Sequence, residues 1–205
     1  ASDMLVSMGG SSILSETTEV IGAEHLLYPR FEDENEGKKF LEMVKRVENR
    51  SIAAGHDLRE GQPTPGNKAG GLTTIEEKSL GCMHKAGHSL FKGTLEYAEE
   101  LPTDKKGLYF MDTPGQDIDS ITGMVAGGAQ VIVFSTGRGT PTGSPIAPVI
   151  KITGNSSTYN NMIDNIDINA GKIITEGVKL NELGQELFDK IVDVCNGEMP
   201  KAEAL

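Results

Sequence analysis

Between Gly107 and Ser135 the chain reads strand, helix, strand, and that order constrains the fold more than any other stretch. Gly107 to Met111 is a strand candidate, Asp117 to Ala126 places Ile118, Ile121 and Val125 on one helical face, and Ala129 to Ser135 is a second strand candidate. Two strands joined through a helix predict a βαβ unit with a parallel, right-handed crossover. The unbroken Val131-Ile132-Val133-Phe134 suits a central strand covered on both faces. Ala147 to Ile152 supplies a third strand, whose direction is open because its connection has no room for a helix. The expected class is therefore α/β: three layers, a mostly parallel sheet with a βαβ core, Rossmann-like, as one domain over residues 1–205.

The flanking segments add helices. Residues 33 to 54 carry Asp33 as a cap, Glu36 at capping-box spacing, and Phe40, Val44 and Val47 on one face. Thr73 or Thr74 caps a helix carrying Ile75, Leu80 and Met83, with Glu76 and Glu77 in the first turn, where the helix dipole favours carboxylates. A last helix runs from about Leu180 to Cys195, with Leu183, Leu187, Ile191 and Val194 as its stripe and Gly197 as its stop signal. Ser12 to Ser15 is a short strand candidate, after which Thr17 or Thr18 can cap a short helix. Gln62 to Gly71, with two prolines and three glycines, predicts no regular structure, and the region up to Lys106 has no clear pattern.

Composition narrows the classes of function. A formal net charge of -11 disfavours nonspecific association with nucleic acid or anionic membrane, so an anionic ligand must be held by local cations. No apolar run approaches the roughly 20 residues that span a bilayer. Cys82 and Cys195 are too far apart in sequence to suggest a metal pair or a disulfide framework, which fits a reduced, cytoplasmic setting.

Candidate chemistry lies in the loops, because ligands of open α/β sheets gather beyond the carboxyl ends of strands. Thr136-Gly137-Arg138-Gly139-Thr140 places a guanidinium, whose fork of donors matches a carboxylate or phosphate, in a hydroxyl-rich loop. If the strands on either side of the 117–126 helix are neighbours, Asp112, Thr113, Thr136 and Arg138 share one crevice. Asn67 and Lys68 stand just before a helix start, where backbone N–H groups favour anions. The P-loop spacing is absent there. Glu16, Glu19 and His25 gather two carboxylates and an imidazole, as general bases or metal ligands, or simply as partners of a helix dipole. Asp167 and Asn169 interrupt two apolar segments, as caps or as site residues, while Gly87 argues against a helical metal pair of His84 and His88.

Four segments taken in order carry a resemblance. They are Ala1 to Val6 with Ser15-Glu16-Thr17-Thr18-Glu19, Pro65 to Thr73, Thr136 to Gly143, and Ile166 to Gly171. Together they resemble the carboxyl-terminal part of the altronate and galactarate dehydratase family, over essentially the whole chain; a sulfolactate sulfo-lyase large subunit is similar too. The resemblance implies a sugar-acid dehydratase that uses a divalent metal, typically iron(II), to convert an aldonate or aldarate to a 2-keto-3-deoxy acid. For an enzyme of this kind the resemblance implies a homodimer; family members are longer, so it also implies that this part contacts an amino-terminal part, with metal ligands left unassigned and some of them outside this chain. In that chemistry Arg138 fits a carboxylate clamp. Asn67, Thr136, Thr140, Asp167 and Asn169 fit substrate binding, Lys68 substrate binding or catalysis, and Glu16 or Glu19 a base or metal ligand. The competing expectations are a noncatalytic module that binds sugar acid or phosphate, and a half that only scaffolds a dimer.

Overall fold

A computed structural model describes residues 1–69 and 71–204; Gly70, within the Pro65–Thr73 segment, lies outside the described residues. The chain falls into two compact units, one spanning Ser2–Gly128 and the other beginning at Ala129. Each is built on its own three-stranded parallel sheet.

In the first unit the strands are β1 (Ser12–Leu14), β2 (Phe91–Leu95) and β3 (Leu108–Met111), in the order β1-β3-β2. All four residues of β3 are buried, as a strand with a neighbour on each side requires. Against this sheet packs the Glu34–Ala53 helix, which presents Phe40, Met43 and Val44 to the core. Phe31 stacks on Phe40 and Phe91, and Phe40 meets Phe110 edge-on with ring centroids 4.8 Å apart, so four of the six phenylalanines gather in one core. Asp33 caps this helix by accepting from the Asn35 N–H. The expected capping box does not form, because the Glu36 carboxylate accepts from the Thr94 backbone N–H on β2 at 2.6 Å instead. The Ile75–Met83 helix forms with Thr74 as its cap; it buries Ile75, Ser79 and Cys82 and leaves Leu80 exposed.

The second unit holds β4 (Ile132–Ser135), β5 (Val149–Thr153) and β6 (Ile168–Asn169), in the order β4-β5-β6. The third predicted strand is thus parallel, and it is the central one. The Leu180–Cys195 helix buries Leu183, Phe188 and Val194, and it stops at Gly197, whose φ of 103° lets Glu198 N–H reach back to the Asp193 carbonyl.

The α/β class and the parallel pairing hold, but the βαβ unit does not. β3 pairs with β1 and β2, whereas β4 pairs with β5 in the other sheet, so the Asp117–Ala126 helix joins two sheets and closes no crossover. Strand β4 lies at the side of its sheet and its Val133 is 41% exposed, which overturns the expectation of a strand covered on both faces. On the linking helix Ile121 is buried and Ile118 is exposed. Residues Pro65–Ala69, expected to be irregular, form a short helix, and Phe91–Leu95 forms a strand in the stretch without pattern. Gly93 hides that strand, because it leaves the face of Phe91 and Leu95 without an apolar side chain in the middle. No helix among the described residues is long and apolar enough to cross a membrane.

Candidate functional site

At the carboxyl end of β1 the backbone turns sharply. Glu16 adopts a left-handed conformation with φ 73° and leads into a single 3-10 turn, Thr17–Glu19. The neighbouring end of β3 holds that turn in place. Thr113 accepts the Glu16 N–H on its Oγ1 at 2.9 Å and the Thr17 N–H on its carbonyl at 3.0 Å. The Thr17 hydroxyl donates to Asp112 Oδ1 at 2.5 Å, and Arg46 reaches Asp112 Oδ2 at 3.0 Å while pairing with Glu96 beyond β2. The Arg46 guanidinium is held in its charged form by its hydrogen bonds to Glu96 and Asp112. The carboxyl ends of all three strands therefore fix one turn.

That turn presents Glu16 and Glu19 side by side, with side chains 12% and 18% exposed. Lys78 pairs with Glu19 Oε1 at 2.9 Å, and Lys85 lies 3.4 Å from Glu19 Oε2 and 3.9 Å from Glu16 Oε2. The two lysines come from the Ile75–Met83 helix and the His84–Ala86 turn that follows it. This helix is anchored by the buried Ser79 hydroxyl, which donates to the Ile21 carbonyl at 2.7 Å. Lys78, Cys82 and Lys85 are spaced i, i+4, i+7, so they share one face.

The two carboxyl groups have diverged. Burial, followed by the charge of Glu19, pushes the Glu16 carboxyl up to about 8. Burial also opposes ionisation of Glu19, but the Lys85 charge, the hydrogen bond from Glu16 and the Lys78 ammonium outweigh it and hold Glu19 well below the ordinary value. The two shifts have opposite sign, which makes Glu16 the acid of the pair and Glu19 its ionised partner. Cys82, beside them, is pushed up to about 12 by burial, so its thiol stays protonated. A carboxylic acid kept protonated next to an ionised partner and two ammonium groups can donate a proton to a leaving oxygen.

The second unit has its own loop-bearing sheet end. Beyond β4, Thr136 accepts the Gly139 N–H on its hydroxyl at 3.0 Å, which rounds the Gly137-Arg138-Gly139 turn and leaves Arg138 exposed. The Thr158 hydroxyl, from the helix after β5, donates to the Gly137 carbonyl. Thr140 is buried and donates to the Thr142 hydroxyl at 2.9 Å. At the end of β6, Asn169 Oδ1 accepts from the Gly171 N–H and the Ser156 hydroxyl. Asp167, just ahead of β6, accepts the Lys151 N–H at 2.7 Å and the Lys201 N–H at 2.9 Å. Arg138 and Asn169 thus flank the end of β5.

Of the sequence-derived candidates, Glu16 and Glu19 come together, and so do the loops of Arg138 and Asn169. Asp112 and Thr113 do not share a sheet with Thr136 and Arg138, because β3 and β4 are not neighbours. Asn67 and Lys68 lie on the Pro65–Ala69 helix, and neither side chain takes part in a hydrogen bond or ion pair among the described residues. Sequence reasoning missed Arg46, Lys78 and Lys85. The lysine pair did leave a signal, two cations seven positions apart with a cysteine between them on a helix that must bury a face.

The whole chain, residues 1–205, matches the family model described as D-galactarate/altronate dehydratase, C-terminal. The chain belongs to this family. Over 197 residues it is 40% identical to altronate dehydratase of Escherichia coli K12, covering 96% of this chain and 39% of that protein. Galactarate dehydratase (L-threo-forming) of the same organism is 42% identical over 198 residues, with 97% and 37% covered. The (2R)-sulfolactate sulfo-lyase subunit beta of Chromohalobacter salexigens is 37% identical over 209 residues, with 100% and 53% covered. The chain spans about two fifths of the length of these dehydratases. The turn at Glu16 lies within the matched residues.

Proposed function

We propose that this chain serves a longer hydro-lyase that dehydrates a sugar acid such as altronate or galactarate to a 2-keto-3-deoxy acid. The observation that carries this reading is the pair of nearly covered carboxyls at the end of β1, set beside two lysines, with burial raising Glu16 and the lysines lowering Glu19. In the reaction a base removes the C2 proton, the C2–H electron pair forms the C2=C3 bond, and the C3–O bond breaks. The departing hydroxide needs a proton to leave as water, and the enol then takes a proton at C3 while its C2 hydroxyl gives one up, which yields the keto acid. Glu16 is assigned the role of acid at C3. Glu19, held by Lys78 and Lys85, keeps that proton in place.

The family's iron(II) is proposed for the longer enzyme. Among the described residues no three His, Cys, Asp or Glu side chains gather closely enough to hold a metal ion, so no step here passes through one. We assign the C2 base likewise to the longer enzyme. Arg138, with Thr136, Thr140, Asp167 and Asn169 supporting its sheet end, is proposed to bind the end of the sugar acid remote from C2, a carboxylate in galactarate and a hydroxyl in altronate, and Asn67 and Lys68 to donate to substrate hydroxyls.

The test is a panel of altronate, galactarate and sulfolactate given to the full-length protein under anaerobic conditions, with and without added iron. Keto-acid formation is expected from a sugar acid, and Glu16→Gln should lower kcat by roughly 10²–10⁴-fold. Turnover of sulfolactate alone, or an undiminished rate in Glu16→Gln, would overturn the assignment.

A further inference from the structure

Lys78 and Lys85 are not equivalent members of the cluster. Lys78 has a 2.9 Å pair with Glu19, a second oxygen partner in Gln62 at 3.4 Å, and a side chain only 20% exposed. Lys85 has a single hydrogen-bond partner, Glu19 at 3.4 Å, and its side chain is 40% exposed while both carboxyls are nearly covered. An ammonium has three N–H donors, so at Lys85 two of them are uncommitted among the described residues. Charge adds to geometry. With Glu16 protonated, the cluster holds one negative charge, on Glu19, against two positive ones, a surplus of one cation in a chain of formal charge -11.

The short turn that carries Lys85 is fixed in place. Asp3 accepts the His88 and Ser89 N–H groups and the Ser89 hydroxyl, and Gly87, at φ 66°, has no room for a side chain because a Cβ there would meet the Asp3 carboxylate. A cation so placed is organised before any ligand arrives.

We infer that Lys85 is a catalytic residue that meets the anionic end of the substrate, donating its free N–H groups to the carboxylate beside C2. This rests on the assignment of Glu16 as acid. As the C2 proton leaves, negative charge spreads onto the carboxylate as an enediolate, and an ammonium already in contact stabilises that charge more than it stabilises the ground state. Two turns that meet thereby serve both halves of the elimination, Lys85 at the carbon losing a proton and Glu16 at the carbon losing its hydroxyl. Lys78 remains a positioning residue, tied to Glu19 and Gln62.

The experiment compares Lys85→Met, Lys85→Arg and Glu16→Gln in the full-length protein, with steady-state kinetics on the active sugar acid and calorimetric binding of lactate, which keeps the carboxylate and the C2 hydroxyl but has no C3 hydroxyl to lose. Lys85→Met is expected to lower kcat/KM by about 10²–10³-fold and to weaken lactate binding by at least about tenfold, while Lys85→Arg, which keeps the charge, retains binding within about threefold. Circular dichroism establishes that each variant is folded, and the arginine variant keeps the test decisive if methionine is not tolerated. Wild-type lactate affinity in folded Lys85→Met, or equal loss of binding in Lys85→Arg, would sink the inference. A slow Glu16→Gln with unaffected Lys85 variants leaves the acid in place and removes only Lys85, whereas a normal Glu16→Gln removes the reading on which both depend.

Discussion

Glu16 binds a proton more tightly in the folded protein than in the unfolded chain, and this ties stability to pH. Its folded value lies above the ordinary one, so its stabilising contribution is whole below about 4.5 and is lost as the pH rises through about 8. Glu19 has the opposite sign, its contribution being present above its ordinary value and lost as the pH falls. Glu16→Gln replaces the shared proton with an amide that donates to Glu19 without titrating. The wild-type melting temperature should therefore decline between pH 5 and pH 9, and the variant should be flatter across that range. A variant that declines as steeply as the wild type would show that another group sets the slope. None of this was legible from Glu16 and Glu19 as letters: three residues apart, they are equally readable as partners of a helix dipole. Folding encloses both and brings two lysines from more than 55 positions away.

The elements follow local rules where local rules suffice. Thr74 was readable as a cap, and its hydroxyl does accept the Glu77 N–H at 3.2 Å, while Glu77 takes the Thr73 N–H and hydroxyl. Thr74→Ala should destabilise the protein by about 1 kcal/mol in urea unfolding, because one helical N–H loses its partner. Because this helix carries Lys78 and leads into Lys85, turnover should fall as well. An unchanged urea midpoint would mean that tertiary packing alone holds the helix. Elsewhere tertiary contact overrode the local signal. Glu36 has the spacing of a capping box, yet a strand N–H at Thr94 lies within reach and takes its carboxylate. Pro65–Ala69 shows the reverse, since Pro65 stands at the first helical position, where its missing N–H is no loss.

At the scale of the whole molecule, two sheets with separate strands predict two zones of stability. Phe40 is fully buried among Phe31, Phe91 and Phe110, and truncation to alanine at such a site costs about 3–5 kcal/mol. Phe40→Ala should raise hydrogen exchange in peptides from residues 2–128 and leave those beyond 129 near their wild-type protection. A matched rise in both would reveal one cooperative unit. The α/β class, the helices Glu34–Ala53, Asp117–Ala126 and Leu180–Cys195, the Asp33 and Thr74 caps and the family could all be read from the letters, because these rest on spacing and on residues close together in the chain. Which strands pair could not be read there, and was settled by folding. The stretch from Gly107 to Ser135 satisfies the local pattern of a crossover equally well whether its two strands share a sheet or belong to two, since strand partners are chosen by distant segments. The same holds for the site. Residue types announced acids and cations, but which acid keeps its proton, and which lysine has donors to spare, depends on burial and on neighbours that meet only when the chain has folded.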